Sequence, residues 1–572
     1  MLESLQLPFV QRGIVEILLL GVAAGLVGTW IVLRGLAFFA HAVSAASFPG
    51  LVLADGLSFS AHLGAGGSAG VVAAWVGWLA RHGRDRYDVA TALVLVGALS
   101  LGVVLASDVF ASGANVETLL FGSLLLVDGS DIAFAAVAAG LVVFATVAIG
   151  ARWLATGFDP NSARALGLRP DAADTVLLGL VGLVAVASLS AIGALLTTAL
   201  MVVPAATTRL LFRRLLPWQL ATIALACCEG VFGLLISVEL DVPPGPTVAV
   251  LAGAIFALVA MSRTLRPRRA MVAATAVLAA LGASGCGADA GGRDGALEVV
   301  ATTTQLGDIV RAIGGDAVDV HQILAPNSDP HDYEPRPGDV KAAASAAVVF
   351  ESGDDLDGWM ADIVEQSGAE AAVVVAGEHA VSSAADDDPH WWHDPRNVAA
   401  AIPALRDALI AADPDERADY ERGARAYLAK VSALDRGIER CFAAVPEAQR
   451  KLVTDHDAFG FFARRYGIRV VGAVIPAAAT QAQPSAGAVA ELVELVRREG
   501  VRAVFPESSA SPDLARTIAE RTGATAEHTL YGDTLGPEGS DGATYLTMER
   551  HNADAMARGF TGGAAGCAIP GI

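Results

Sequence analysis

Four residues in the C-terminal half of the chain carry the donor atoms that a transition-metal site needs. They are His331, His390, His456 and Asp533. Proline or glycine lies near each of them, which indicates loops at strand ends, where α/β domains gather their ligand groups. Three imidazoles and one carboxylate suit a tetrahedral zinc site. This half holds eight histidines, so the residues alone also allow an accidental combination.

Apolar runs that alternate with helical stretches predict the architecture that would position these residues. We expect residues 297–572 to form an α/β two-lobed binding protein, with lobes at about 297–412 and 443–572. Residues 413–442 contain few helix breakers and predict a rigid connecting helix of about 45 Å. The strand-like runs are 296–301, 346–350, 371–377, 450–455, 468–475 and 501–507.

The N-terminal half has a different composition. The chain of 572 residues is 54% hydrophobic and 17% charged, with a mean hydropathy of +0.51. Residues 1–270 hold 15 Arg, no Lys and 15 acidic residues, so the whole net charge of −21 lies in the remainder. This split predicts an all-α polytopic membrane domain followed by a soluble domain. The acidity of the soluble half argues against nucleic acid as a partner.

Eight segments are long and apolar enough to be candidate spans. Four arginine-rich stretches, three between spans and one after the last, are expected on the cytoplasmic side, which leaves the N-terminal side outside. Segment 175–207 would have both of its ends on the cytoplasmic side, yet it is too short for two full spans. We therefore expect a break near Gly193 and a half-helix that lines the pathway. The segments are 14–33, 36–56, 63–80, 89–107, 131–151, 175–207, 218–238 and 246–262.

Residues 1–263 resemble the permease subunit of ABC importers that take up zinc or manganese. In that family, an Asp and a His in the second span form a metal waypoint. Here His41 stands at the Asp position and Ala45 at the His position, so His41 is a candidate waypoint or a packing residue. The matching stretches are Arg34–Ala54, Asn115–Val127, Phe158–Leu168, Ile192–Leu211 and Asp241–Gly253.

The sequence contains no G-x-x-x-x-G-K-[ST] phosphate loop, so it predicts a transport component rather than an enzyme. The resemblance implies a separate ABC ATPase subunit that docks on residues 161–168 and 209–217. It also implies a permease dimer and contact with membrane lipid.

A signal-like segment joins the two halves. The basic run at residues 263–269 precedes about 15 apolar residues and Cys286. We place domain boundaries at 1–268 for the permease and 269–296 for this segment with its linker. Either Cys286 is cleaved and lipidated, or the segment is a short ninth span. Both alternatives put the C-terminal domain outside the cell membrane.

Residues 297–563 resemble the solute-binding proteins of zinc and manganese ABC importers, in the group with a rigid connecting helix. The resemblance makes His331, His390, His456 and Asp533 the metal ligands. Manganese members usually have a carboxylate where His456 stands. The implied function is high-affinity uptake of Zn²⁺ as the transported ligand, with Mn²⁺ also considered. The matching stretches are Pro330–Pro335, Asp388–Pro395, Asp455–Ile468 and Asp533–Asn552.

Other polar residues near these motifs receive structural interpretations. Glu507 is expected to support the site rather than bind metal, and His393 is expected to stay off the metal. The run Asp386–Asp388 is expected to be a solvated acidic loop. Cys441 and Cys567 are expected to pair in an oxidising compartment.

Two rival functions remain open at this stage. One is a manganese or iron importer of the same architecture, which metal analysis would distinguish. The other is a membrane-tethered zinc hydrolase. The hydrolase is disfavoured because four protein ligands leave no open position on the metal.

Overall fold

A computed structural model describes most of the chain as two compact units. One comprises residues 1–289 with 334–340, and the other comprises 290–333 with 341–572. We call them the helical unit and the α/β unit. The described residues are 7–57, 59–82, 87–105, 122, 124–264, 295–331, 333, 335–354, 356–381, 388–475, 486–509 and 512–569.

The described part of the helical unit is built from α-helices, and each predicted span falls on one or two of them. Among the described residues, five segments are long and apolar enough to cross a membrane: α1, Ala37–Ala54, α6, α10 and most of α11. The helices are α1 (Pro8–Arg34), α2 (Ala37–Ala45), α3 (Ser47–Gly56), α4 (Ala61–His82), α5 (Tyr87–Val104), α6 (Gly129–Phe158), α7 (Pro160–Ala165), α8 (Pro170–Ala187), α9 (Leu189–Leu211), α10 (Leu215–Leu240) and α11 (Pro244–Thr264).

Two of the predicted spans are interrupted. The predicted break near Gly193 is present, because this residue has φ 77° and ψ 167° inside α9. Glycine tolerates this conformation because it has no Cβ. The segment 36–56 was predicted as one span but forms α2 and α3, separated at Ala46. Pro49 has no N–H to donate to the carbonyl of Ala45, which weakens the helix at this point.

The α/β unit contains two parallel sheets. The first sheet has strand order β2-β1-β3-β4, and the second pairs β5 with β6. The elements are β1 (Leu297–Ala301), α12 (Thr304–Gly314), β2 (Val318–Gln322), α13 (Pro337–Ser345), β3 (Val348–Glu351), α14 (Trp359–Ser367), β4 (Ala372–Val375), α15 (Pro395–Ala412), α16 (Arg417–Ala443), β5 (Lys451–His456), α17 (Gly460–Tyr466), β6 (Arg469–Ile475), α18 (Ala486–Glu499), α19 (Asp513–Thr522) and α20 (Tyr545–Thr561).

The predicted run 501–507 forms isolated parallel bridges rather than a named strand. These bridges join Thr454 to Phe505 and Glu507 to Leu530. They extend the pairing of the second sheet and carry Glu507 to the end of β5.

The long connecting helix is α16, but the predicted start at residue 413 is wrong by four residues. Pro414–Glu416 forms a 3₁₀ turn first. Asp413 precedes a proline and is held away from helical geometry, at φ −136° and ψ 85°. From Arg417 the helix runs 27 residues, about 40 Å.

Helix α16 is embedded in a continuous core of the α/β unit. Its buried stripe includes Tyr427 and Leu434, and the same apolar cluster contains Phe350 from β3 and Phe505 from the second half of the unit. A helix buried along its length against both halves resists bending. The predicted junction, 269–296, lies almost wholly outside the described residues, and the predicted domain boundaries there stay a prediction.

Candidate metal centre

The two parallel sheets bring the predicted ligands to their carboxyl ends. His456 is the last residue of β5, and His331 lies in the loop between β2 and α13. His390 directly precedes a 3₁₀ turn, Trp391–His393, ahead of α15. This agrees with the general rule that open α/β sheets gather ligand groups beyond the carboxyl ends of their strands.

The loop that carries Asp533 is held against the first turn of α12. The side-chain amide of Gln305 donates to the carbonyl oxygen of Asp533 at 2.9 Å, and the backbone N–H of Leu535 donates to Thr304 Oγ1 at 2.8 Å. The carboxylate of Asp533 is therefore placed by α12, although more than 200 residues separate the two in sequence.

The four side chains meet in one cluster. One donor atom from each of His331, His390, His456 and Asp533 lies within 4.8 Å of the others. Asp533 Oδ1 lies 3.1 Å from His390 Nε2, 3.1 Å from His456 Nε2 and 3.9 Å from His331 Nε2. His390, His456 and Asp533 are at most 1% exposed. Such an arrangement can surround one small cation with three nitrogens and one oxygen.

Two donor atoms of the cluster have no hydrogen-bond partner among the described residues. They are His331 Nε2 and Asp533 Oδ2, both buried. Buried polar atoms are normally satisfied, so each unsatisfied atom needs an explanation. A cation at the centre of the four side chains would satisfy both.

Carboxylates orient two of the imidazoles from behind. Asp388 Oδ1 lies 2.8 Å from His390 Nδ1, and Glu507 Oε1 lies 2.9 Å from His456 Nδ1. Each carboxylate accepts a hydrogen bond from an Nδ1–H and leaves the Nε2 lone pair directed at the centre. Glu507 contacts His456 and is outside the four-residue cluster.

Asp388 departs from its predicted role. It was expected in a solvated acidic loop, yet it accepts from both the ring and the backbone N–H of His390. The signal available in the sequence was an Asp two residues before a His, the spacing of a local side-chain-to-backbone turn. Asp386 and Asp387 lie outside the described residues.

The charges of the site favour cation binding. Burial lowers the pKa of His331 to about 4, so this imidazole is neutral at pH 7. Burial opposes protonation of His456 as well, but the charges of Asp533 and Glu507 outweigh it and raise the pKa of His456 well above its ordinary value. Burial raises the pKa of Asp533, yet the neighbouring histidines more than offset it and hold that pKa well below its ordinary value. A bound metal would replace the proton that this cluster attracts.

Family models match both halves of the chain. One described as "Zinc-uptake complex component A periplasmic" matches residues 299–559, and one described as "ABC 3 transport family" matches residues 6–263. The manganese-binding lipoprotein MntA of Halalkalibacterium halodurans is 32% identical over 288 residues, which cover 49% of this chain and 95% of that protein. The chain belongs to the metal ABC transporters. Its helical unit is the permease, and its α/β unit is the solute-binding domain.

Other relatives of this ABC transporter chain are named for different metals. The iron-binding protein YfeA of Yersinia pestis is 33% identical over 271 residues, which cover 46% of this chain and 86% of that protein. The solved structure of the periplasmic zinc-binding protein TroA from Treponema pallidum is 25% identical, covers 46% of this chain and 99% of that chain, and has a TM-score of 0.44.

The solute-binding domain keeps His393 out of the four-residue cluster. His393 Nδ1 lies 2.6 Å from Glu549 Oε1 on α20, and both residues are 0% exposed. Its ring stacks on Phe459, with centroids 4.4 Å apart. His393 therefore ties the loop before α15 to α20.

The permease places His41 on α2, where His41 Nδ1 lies 3.2 Å from Thr198 Oγ1 on α9. Thr198 follows the break at Gly193, so His41 faces the interrupted helix. Ala45, at the family's His position, is fully buried. His41 is in no cluster of three or more metal-ligating side chains within the described residues.

The remaining predicted residues are cysteines. Cys441 and Cys567 of the solute-binding domain are joined by a disulfide, with Cα atoms 5.4 Å apart. The bond links the end of α16 to the segment after α20. Cys286 lies outside the described residues.

Proposed function

We propose that this ABC transporter chain takes up Zn²⁺, which the solute-binding domain captures through His331, His390, His456 and Asp533. The observation that carries the proposal is the donor set of three imidazole nitrogens and one carboxylate oxygen within 4.8 Å. Zinc accepts four such ligands in tetrahedral geometry, and imidazole favours zinc over manganese.

A manganese or iron importer is the second candidate. Its support is that the relatives MntA and YfeA are named as manganese-binding and iron-binding proteins. Manganese prefers more oxygen donors than this set offers. His456 is the residue on which the choice depends, since a carboxylate at that position would convert the set to two nitrogens and two oxygens.

A tethered zinc hydrolase fits the geometry less well. Catalytic zinc keeps a coordination position open for water, whereas here four protein side chains converge. The two neighbouring carboxylates, Asp388 and Glu507, both accept hydrogen bonds from ligand histidines. Neither is free to act as a general base.

The proposed transport cycle needs partners. The solute-binding domain would bind the ion outside the cell membrane and release it when a separate ATPase drives the permease to open outward. Helix α7 is a suitable docking element, because Asp159 caps it rigidly by accepting from the N–H groups of Asn161 and Ser162 at 3.0 and 3.1 Å. Apolar side chains on α6, such as Phe144 and Val147, are more than 70% exposed and suit contact with lipid or a second permease.

Metal competition tests the proposal. Segment 297–572 can be used alone, because it corresponds to nearly the whole of MntA. The match covers 49% of this chain and 95% of that protein. The segment, stripped of metal and dialysed against equal Zn²⁺, Mn²⁺ and Fe²⁺, should retain zinc. The variant His456→Asp should shift the ratio of bound manganese to zinc upward by about tenfold. Preferential retention of manganese or iron by the unaltered segment would overturn the zinc assignment.

A further inference from the structure

A buried glutamate lies near the middle of α10 in the permease. Glu229 is about 21 Å from the start of this helix and about 17 Å from its end. It is 1% exposed, and neither of its side-chain oxygens has a hydrogen-bond partner among the described residues. An ionised carboxylate without a partner is costly at this depth of a membrane, where ionisable residues are usually functional.

Glu229 lines a narrow cavity between α9, α10 and α11. About 10 Å³ of this cavity is open to the centre of a water molecule, which is no more than one water requires. The other residues of its wall are apolar side chains and one glycine. On α9 the wall includes Ile192 and Leu196, on either side of the break at Gly193. The carboxyl group therefore faces an apolar space beside the interrupted helix.

Close packing of α10 against α11 keeps the cavity narrow. Gly233 follows Glu229 by about one turn, and a Cβ placed on it would lie 2.5 Å from Val248 Cγ2 and 2.9 Å from Val248 Cα. Val248 is part of the cavity wall. Because glycine has no Cβ, it allows the two helices to approach this closely. The enclosure of Glu229 thus depends on contact between α10 and α11.

The other ionisable residues of α10 and of the helices packed against it lie outside the cavity wall. Glu16 is at the level of Gly230, since a Cβ on Gly230 would lie 2.4 Å from Ile17 Cγ2, but a second carboxylate brings no positive charge. The arginines of α9 and α11 are more than two turns beyond the cavity residues, about 14 Å or more. The full set is Arg12, Glu16 and Arg34 on α1, Arg209 on α9, Cys227, Cys228 and Glu239 on α10, and Arg263 on α11.

The size and lining of the cavity distinguish a proton from a metal ion as its occupant. Zinc and manganese need several ligand atoms, whereas this wall offers one carboxyl group. Glu229 belongs to no cluster of three or more metal-ligating side chains within the described residues. A proton needs no extra room, and it removes the charge that burial makes costly.

We propose that Glu229 is a proton-binding site of the permease. The carboxyl group holds a proton while α9, α10 and α11 enclose it, and it releases the proton when these helices separate and admit water. On release the O–H bond breaks, the proton passes to a water molecule, and the carboxylate becomes hydrated. The site couples movement of the interrupted helix α9 to proton release. This inference goes beyond metal uptake and does not depend on which metal is carried.

Infrared spectroscopy of the full chain in detergent tests the proton site, because it detects the carbonyl stretch of protonated carboxyl groups. At pH 7 the unaltered chain should show one such signal that Glu229→Gln lacks, since an exposed glutamate is ionised at this pH. Glutamine has nearly the shape of the neutral acid and preserves the packing. Glu239→Gln, at an exposed position of the same helix, is the matched control and should remove no signal. If Glu229→Gln also removes none, Glu229 is ionised and the proposal is wrong.

A second pair of variants tests the release of the proton. Gly233→Ala should lower the signal of Glu229 by about half or more, because the added Cβ pushes α11 away from α10 and admits water. Gly253→Ala is the control, since a Cβ on this residue of α11 has nothing within 4 Å. Equal signals in the two variants would overturn the coupling. Should Gly233→Ala or Glu229→Gln fail to fold, Val248→Ala enlarges the same cavity, and an undiminished signal in that variant would overturn the proposal.

Discussion

At the scale of single residues, the candidate capture site depends on the orientation of its histidines. Asp388 and Glu507 each accept from the Nδ1 of a histidine in the four-residue cluster, which commits Nε2 to the centre. Such supporting carboxylates reduce the rotameric freedom that metal binding would otherwise have to remove. The four side chains therefore need little rearrangement to surround one cation.

Replacing one imidazole should be costly for affinity. We expect His390→Ala to weaken zinc binding by about tenfold or more, because one of four ligand bonds is lost and Asp533 loses a neighbour at 3.1 Å. Titration with zinc against a competing chelator measures the effect. The control is His321→Ala, at an exposed histidine on β2 of the same domain. Equal affinities for His390→Ala and His321→Ala would remove His390 from the site.

A carboxylate at the end of β3 makes the stability of the solute-binding domain depend on pH. Burial, aided by the charge of Asp357, raises the pKa of Glu351 from 4.5 to about 7. The folded state then binds this proton more tightly than the unfolded state does. Stability from this residue is present below pH 4.5 and is lost as the pH rises towards 7.

The variant Glu351→Gln should flatten that part of the pH dependence. We expect the free energy of unfolding of segment 297–572 to fall less between pH 4.5 and 7 in the variant than in the unaltered segment. Urea unfolding at several pH values, without metal, measures the difference. Glu520→Gln, at an exposed position on α19, should leave the curve unchanged. Parallel curves for Glu351→Gln and the unaltered segment would contradict the raised pKa of Glu351.

At the scale of elements, the connecting helix α16 is stabilised at both ends by different means. Its start follows the 3₁₀ turn Pro414–Glu416, and its end is tied by Cys441 to Cys567. Arg465, on α17, also reaches Asp435 near that end, with nitrogen-to-oxygen distances of 2.8 Å. These links restrict the movement of α16 relative to the second half of the domain.

Reduction of the disulfide should lower the stability of the domain. The two cysteines are 126 residues apart, and closing a loop of that length contributes about 5 kcal/mol in the chain-entropy description. Urea unfolding of segment 297–572 with and without reductant measures the loss. The double variant Cys441→Ala with Cys567→Ala should be insensitive to reductant. Two free thiols in the unfolded, unreduced segment would show that the pair does not form.

At the scale of the whole molecule, fusion changes how an ion is delivered. A linker of a few tens of residues holds a binding domain near its receptor at an effective concentration on the order of millimolar. Delivery then does not depend on diffusion of a separate capture protein. This advantage exists only if the chain stays intact at the segment around Cys286.

We expect the segment before Cys286 to be retained as a membrane tether. A tag at each end of the full chain and a denaturing gel provide the test. The expected result is a single band near 58.4 kDa that carries both tags. The variant Cys286→Ala, which cannot be lipidated, should migrate identically. Two fragments that divide near residue 286 in the unaltered chain alone would show that the signal is cleaved.

Local patterns were enough to predict most of the elements. The apolar segments became helices because a span must satisfy its backbone hydrogen bonds internally, and the break at Gly193 follows from the backbone freedom of glycine. The long helix was predicted to within four residues at its start and one at its end. The four candidate ligand positions were predicted through motifs, because donor type and neighbouring residues are properties of the sequence.

Tertiary structure decided which side chains meet. Asp388 looked like part of a solvated acidic run, yet it orients His390. His393 looked like half of a local pair, yet it binds Glu549, 156 residues away. His62 on α4 meets Asp131 on α6, with His62 Nε2 3.3 Å from Asp131 Oδ1. Hydropathy and spacing describe neighbours within one or two turns, whereas these contacts depend on how distant helices and loops pack, which local patterns do not encode.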